Sequence, residues 1–237
     1  MTKPYLLALD TAHQVCSVAL VNSQTQTTFY RNETVGNRHA ERILTMIDEL
    51  LAEAGITKAD VGAIAFGQGP GSFTGLRVAC GVAQGLAWGL AVPLVQINNL
   101  LATAQALREA GAVKTGDIVA IVNDARMEEI YARIYRVTAE GERLEALTDN
   151  VLIKPAMLEA WLAEYAVTHV AGSALAAYGL TPAATVLASP ETMIVALARL
   201  ALAPTPEEAV SPANAHPVYV RDRVALTIEE RAHGERL

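Results

Sequence analysis

The chain opens with short apolar runs that end on polar punctuation. YLLALD (residues 5–10) is apolar throughout until it closes on Asp10, and VCSVALV (15–21) follows after the turn TAHQ. Apolar runs of this length predict buried strands. TTFYRNE (27–33) predicts a third strand. The period then changes. In NRHAERILTMIDELLAEAG (37–55), Ile43, Leu44, Ile47, Leu50, Leu51 and Ala54 fall on one helical stripe, with Gly55 placed as a C-cap. VGAIAFG (61–67) returns to strand, TGLRVACGVAQGLAWGLA (74–91) to helix and VPLVQI (92–97) to strand. Strands alternating with helices predict an α/β fold.

A second half opens near residue 105. DIVAIVNDARMEEIYARIYRV (117–137) holds two strands about a turn at DARM, and it echoes the start of the chain. In both places an apolar strand ends at an aspartate, Asp10 or Asp124, and an alternating strand returns. This degenerate repeat suggests two related subdomains, 1–104 and 105–214, the first completed by 215–230 and followed by a frayed charged tail at 231–237. Helices are expected in PAMLEAWLAEY (155–165) and SPETMIVALARLALA (189–203). The Pro-rich run 203–217 reads as a connecting loop, and VYVR (218–221) as a short returning strand.

Composition narrows the function. The 237 residues are 52% hydrophobic and 18% charged, which suits a packed core. The formal net charge of −7 argues against tight unaided binding of nucleic acid. Cys16 and Cys80 form neither a disulfide framework nor a CxxC pair, and both sit in apolar contexts that read as core. The first apolar run is too short for a signal peptide, and no uninterrupted apolar stretch reaches membrane-spanning length, so a cytoplasmic location is expected.

The densest candidate for chemistry is GQGPGSFTGLR (67–77). It lacks the lysine of a nucleoside-triphosphate loop. A dinucleotide fingerprint fails too, because Ser72 or Thr74 stands in its third glycine slot. What survives is a tight turn into a helix capped by Ser72 or Thr74. Such a helix start serves chain geometry alone or holds an anion. Ser72 does not match the nucleophile elbow, with Gly69 and Gly75 each three residues away. Further along the same helix, Gly81, Gly85 and Gly89 form a stripe without side chains. Each costs about 1 kcal/mol of helix propensity relative to alanine, so a close backbone contact is expected there. The contact is either inside the domain or with another subunit. Arg77 marks an exposed or ion-paired edge.

Elsewhere the signals are weaker. His13, His39, His169, His216 and His233 make no local metal motif. His39, beside Glu41 and Arg42 in RHAER, reads as a solvated helix start or as a polar face offered to a partner. Asp10 and Asp124 read as turn-capping acids or, in an ATPase of this build, as groups near a metal.

Taken together, LALDTAHQVCSVALV, HAERILTMIDELL, IAFGQGPGSFTGLRVACGVAQGLAWGLAVPLV, NDARMEEIYARIY and PVYVRDRVA resemble the TsaB (YeaZ) family of bacterial tRNA threonylcarbamoyladenosine biosynthesis proteins. The resemblance covers nearly the whole chain and is weakest over 136–205. Its most specific parts are Gly69, Pro70, Gly71, Ser72, Phe73, Thr74, Gly75 and Arg77, together with Asp124 and Arg126 of the downstream DAR motif. It implies an actin/Hsp70/sugar-kinase (ASKHA) fold: two related subdomains with mixed sheets flanked by helices. It also implies a role in threonylcarbamoyl modification of the adenosine beside the anticodon in ANN-decoding tRNAs.

The partners implied are a catalytic TsaD-type paralogue and a TsaE-type ATPase, with tRNA touched weakly or through the complex. ATP and metal would belong to the partner subunits, with no cofactor bound tightly by this chain. The paralogue carries an HxxxH metal motif after its own GPG helix and strand. The matching positions here hold Asn99 and Thr103, and Ser17 stands where its first turn has glycine. Oxygen donors are poor substitutes for imidazole at a transition-metal site. The resemblance further implies that helices near 38–54 and 73–89 form a joint bundle with the paralogue, or a homodimer without it. Interface candidates are then Arg38, His39, Arg42, Arg77, Gly81, Gly85 and Gly89. The rival reading is an independent phosphotransferase or peptidase of the same fold.

Overall fold

The computed structural model describes residues 3–139 and 143–221. The first half runs β1 (Tyr5–Asp10), β2 (Val15–Asn22), β3 (Thr28–Thr34), α1 (His39–Glu53), β4 (Val61–Gly69), α2 (Phe73–Leu90), β5 (Leu94–Asn98) and α3 (Asn99–Glu109). The second runs β6 (Ile118–Arg126), β7 (Glu129–Arg136), β8 (Glu145–Ala146), β9 (Val151–Ile153), α4 (Leu158–Glu164), β10 (His169–Ala171), α5 (Ser173–Ala177), β11 (Thr185–Leu187) and α6 (Met193–Leu200). Strand β12 (Ala209–Val210) follows.

Two six-stranded sheets result, with orders β12-β5-β4-β1-β2-β3 and β11-β10-β6-β7-β8, β9 also pairing with β7. In each, the first strand is central. It pairs antiparallel with the second strand and parallel with the strand after the next helix. The two halves therefore share one topology, with β6 in the place of β1, β10 in that of β4 and β11 in that of β5.

Burial explains why YLLALD is apolar at every position. Leu7 and Leu9 face a core shared with Ile43, Ile47 and Leu50 of α1 and Ala79 and Ala83 of α2. Leu6 and Ala8 face the opposite core, with Leu100 of α3 and Leu197 of α6. That second core also takes in Val119, Ile121 and Tyr135 of the second sheet, so α3 and α6 lie between the sheets. The far face of the second sheet packs Val122, Ile130 and Ala132 on Leu158 and Leu162 of α4 and Ala174 of α5. The layers are helices, sheet, helices, sheet, helices, with both sheets buried on two faces.

Several expectations are corrected. Leu44 is 51% exposed; Met46 takes its place in the buried stripe of α1. The run 203–217 is not wholly loop: β12 pairs with β5, so the chain rejoins the first sheet before residue 215. VYVR is not a sheet strand; one backbone bond, Val218 N to Gln68 O at 2.7 Å, ties it to the end of β4. The turn expected at DARM falls later, at Met127–Glu128, because β6 continues to Arg126. The expected completion at 215–230 lies partly, and the tail at 231–237 wholly, outside the described residues.

Candidate functional site: the glycine loop, the cleft and the second helix

Gly71 and Gly75 are pressed against the turn that follows β1, and Gly67 against the side chains of Asp10 and Asn99. A Cβ at Gly67 would lie 2.1 Å from Asp10 Oδ1, at Gly71 2.7 Å from Ala12 O, and at Gly75 1.9 Å from Thr11 O. The turn and the loop are also bonded. Thr11 Oγ1 donates to Gly75 O at 2.6 Å, and Ser72 N donates to Ala12 O at 2.8 Å. Ser72, not Thr74, caps α2, its Oγ accepting from Gly75 N at 3.3 Å. Close approach, the usual reason for glycine in a phosphate loop, is met here by the chain's own backbone. The peptide Gly69–Pro70 is cis, and Gly69, with φ +116°, passes close beneath Val218 O.

Asn99 completes this knot. It is fully buried, and its amide bridges two segments: Nδ2 donates to Asp10 Oδ1 at 2.6 Å, and Oδ1 accepts from Gly69 N at 2.7 Å. Thr103 Oγ1 turns back to Asn99 O at 2.9 Å. Asn98 caps α3 through bonds from Leu100 N and Leu101 N. Asp10 is 1% exposed, and burial raises its pKa above the ordinary 3.8; His13 and the Asn99 bond oppose that rise in part.

Between the lobes lies a cleft of ≈ 1710 Å³, lined by Asp10, His13, Ser17, His39 and Ser72 on one side and by Asn123, Asp124, Arg126 and Ser173 on the other. Asp124 is already engaged: Oδ1 accepts from Arg126 N at 2.8 Å and Tyr178 Oη at 2.7 Å, and Oδ2 pairs with Arg126 Nη1 at 2.9 Å. Among the described residues no group of three or more His, Cys, Asp or Glu could hold a metal ion. Cys16 and Cys80 are buried, and desolvation pushes the Cys16 thiol up to about 12.

The structure scatters the residues expected at a partner surface. Arg42 is ion-paired with Glu33 (2.7 Å) and Glu49 (2.9 Å). His39 faces the cleft with Nε2 buried and unpartnered, while Arg38 is exposed at the start of α1. Arg77 is exposed, lies 3.8 Å over the Phe73 ring and donates from Nε to Tyr219 Oη at 3.0 Å. Gly81, Gly85 and Gly89 are exposed, and a Cβ at any of them would meet nothing within 4 Å. Packing inside the domain therefore does not account for them. Trp88, 69% exposed, belongs to the same outer face and was missed by sequence reasoning, although its spacing of three from Gly85 signals it. A second missed signal is the Gly-Ser pair, at Gly71–Ser72 and again at Gly172–Ser173. A Cβ at Gly172 would lie 2.0 Å from Val122 O, and Ser173 Oγ accepts from Asp124 N at 3.0 Å.

Two lobes of one topology, facing across a cleft with an aspartate in each first strand, define the actin, Hsp70 and sugar-kinase class of folds. A family model described as TsaD, tRNA N6-adenosine threonylcarbamoyltransferase, matches residues 28–214, and the chain belongs to that family. Its relatives include TsaB (YeaZ) proteins. It is 50% identical over 126 residues to the tRNA threonylcarbamoyladenosine biosynthesis protein TsaB of Haemophilus influenzae, over 53% of this chain and 51% of that protein. It is 41% identical over 137 residues to the Escherichia coli TsaB, over 57% of each. The solved structure of YeaZ from Pseudomonas aeruginosa superposes with a TM-score of 0.74 at 36% identity, covering 91% of this chain and 99% of that one. The matches to the two TsaB proteins span about half of those proteins' length.

Proposed function

We propose that this chain is a non-catalytic subunit in threonylcarbamoyl modification of tRNA adenosine, organising and activating a TsaD-type catalytic paralogue together with a TsaE-type ATPase. The observation that carries this reading is the use made of positions 99 and 103. Asn99 spends both amide atoms on Asp10 and Gly69, and Thr103 bonds back to Asn99. Neither is an imidazole, and both side chains are engaged in bonds within the fold. Asp10 and Asp124, the acids a phosphotransferase would need, are likewise held by internal donors. ATP and metal then belong to the partner subunits.

The partner surface in this reading is the outer face of α2, where Gly81, Gly85 and Gly89 leave room for a backbone to approach and Trp88 offers apolar area. The same face serves a homodimer when the paralogue is absent. The test is tRNA modification reconstituted from the paralogue, the ATPase and threonylcarbamoyl-adenylate, with this chain omitted and then restored. Modification should depend on its addition; equal rates without it would overturn the reading. Gly85→Phe should abolish co-elution with the paralogue, and an unchanged complex would remove α2 from the interface.

A further inference from the structure

The segment after β12 runs along α2 before it crosses to the other lobe. Gln84 Nε2 donates to Pro212 O (2.9 Å) and Ala215 O (3.0 Å), and Cys80 Sγ reaches Ala215 O at 3.6 Å. Toward the start of α2, Arg77 and Phe73 hold Tyr219: the Arg77 Nε bond is 3.0 Å, and the two rings lie 5.3 Å apart. Two residues later the chain is gripped by the opposite lobe. Arg221 Nη2 donates to Ala125 O (3.1 Å) and Arg126 O (3.2 Å), Nη1 reaches Met127 Sδ (3.2 Å), and Nε donates to Glu129 Oε2 (3.1 Å). Its side chain is 14% exposed and ion-paired with Glu129.

The turn so gripped is conformationally unusual. Arg126, Met127 and Glu128 have φ of +64°, +56° and +55°, a left-handed run that L side chains disfavour. Two-residue hairpin turns of this hand favour Asn-Gly, and Met127–Glu128 supplies neither. Outside bonds to the carbonyls of residues 125 and 126 therefore help to hold the turn in this shape. Arg126 leaves the turn with its side chain 73% exposed at the cleft rim, so the turn's shape places a cation there.

We propose that residues 215–221 are a latch that couples occupancy of the α2 outer face to the β6–β7 turn across the cleft. A body docking on α2 meets Arg77 and Phe73, shifts or clamps Tyr219, and so tightens or frees Arg221 two residues away. The second end is a turn held out of its preferred conformation, which gives the coupling an element with two states. The coupling to a partner rests on the docking reading above; the mechanical link within the chain does not.

Hydrogen exchange followed by mass spectrometry on the full chain separates the two. In the isolated chain, Arg221→Ala should speed exchange of amides 125–130 by about tenfold or more, the loss expected for charge-assisted bonds. Arg221→Lys should not restore protection, because an ammonium cannot span two carbonyls and a carboxylate as the guanidinium fork does. Tyr219→Ala, which touches only the α2 end, should speed the same amides. An unchanged turn in Tyr219→Ala would overturn the latch, as would an unchanged turn in Arg221→Ala. With the TsaD-type paralogue added, the parent chain should show a changed rate at 125–130, and Arg221→Ala should bind but lose that change. Binding with no change at the turn in the parent would overturn the coupling. A paralogue that fails to bind at all would refute the docking reading, leaving the Tyr219→Ala arm to decide the latch.

Discussion

Asn99→Ala tests the knot at the base of the cleft most directly. The substitution removes the donor to Asp10 Oδ1 (2.6 Å) and the acceptor for Gly69 N (2.7 Å) at a fully buried position. Asp10 is left with the longer bond from Ala12 N, 3.3 Å. An orphaned buried polar group costs about 1–3 kcal/mol, so two cost roughly 2–6 kcal/mol. That is a large share of a total stability of about 5–15 kcal/mol.

The loss should also depend on pH, and its sign follows from Asp10. Burial already raises this carboxyl above 3.8, so the folded state holds its proton more tightly than the unfolded state does. The parent therefore loses stability as pH rises from 3.8 through the raised value, and the penalty is complete above it. Without the Asn99 donor the folded pKa climbs further, and each extra unit adds about 1.4 kcal/mol of penalty above that window. Urea unfolding followed by circular dichroism at an acid and an alkaline condition, pH of roughly 4.5 and 8, reads both effects. The destabilisation should be larger at pH 8. A variant within about 0.5 kcal/mol of the parent at pH 8 would refute the knot's energetic role. A larger loss in acid would refute the assignment to Asp10.

Three further outcomes are expected. Gly75→Ala should destabilise by about 1–3 kcal/mol or more, since its Cβ would meet Thr11 O at 1.9 Å, whereas Gly85→Ala should stabilise the isolated chain by roughly 0.5–1 kcal/mol; thermal unfolding of the pair checks this, and a loss at Gly85 would mean that the helix face is packed internally. Cys16, buried and with its thiol pushed up to about 12, should react with Ellman's reagent at pH 8 only after denaturation; prompt native labelling would contradict its burial.

What the sequence makes legible follows from local periodicity. The strands and helices through Asn98 have long apolar runs or a clear stripe. Helix α3 does not: Asn99 through Leu107 are all buried because α3 lies between two sheets, and a helix buried on every side, with Asn99, Thr103 and Gln105 among its buried residues, shows no apolar stripe to detect. Strands β10 and β11 and helix α5 have three, three and five residues, too short for a period to show. Leu44 was misplaced because it is next to Ile43, and one step along a helix turns a side chain about 100° toward the rim. The glycines are the clearest case. Gly67, Gly71 and Gly75 have the same spacing of four as Gly81, Gly85 and Gly89, yet the first set is closely packed, Gly67 by the side chains of Asp10 and Asn99 and the other two by the backbone of the turn after β1, while the second meets open space. Spacing along the chain carries no record of what lies opposite, so the two sets were indistinguishable until the turn after β1 was seen packed on one of them.

The bridge at Asn99 also bears on how this chain can change by successive substitutions. A histidine at 99 would have to serve Asp10 and Gly69 N at once from a fully buried position, with two ring nitrogens fixed on a rigid five-membered frame in place of a compact amide. Any route from this sequence to a histidine pair at 99 and 103 therefore includes a step, at residue 99, that gives up the bridge. The barrier on that route is one of stability and needs no selection on function. Asparagine at 99 is held in place by its own packing.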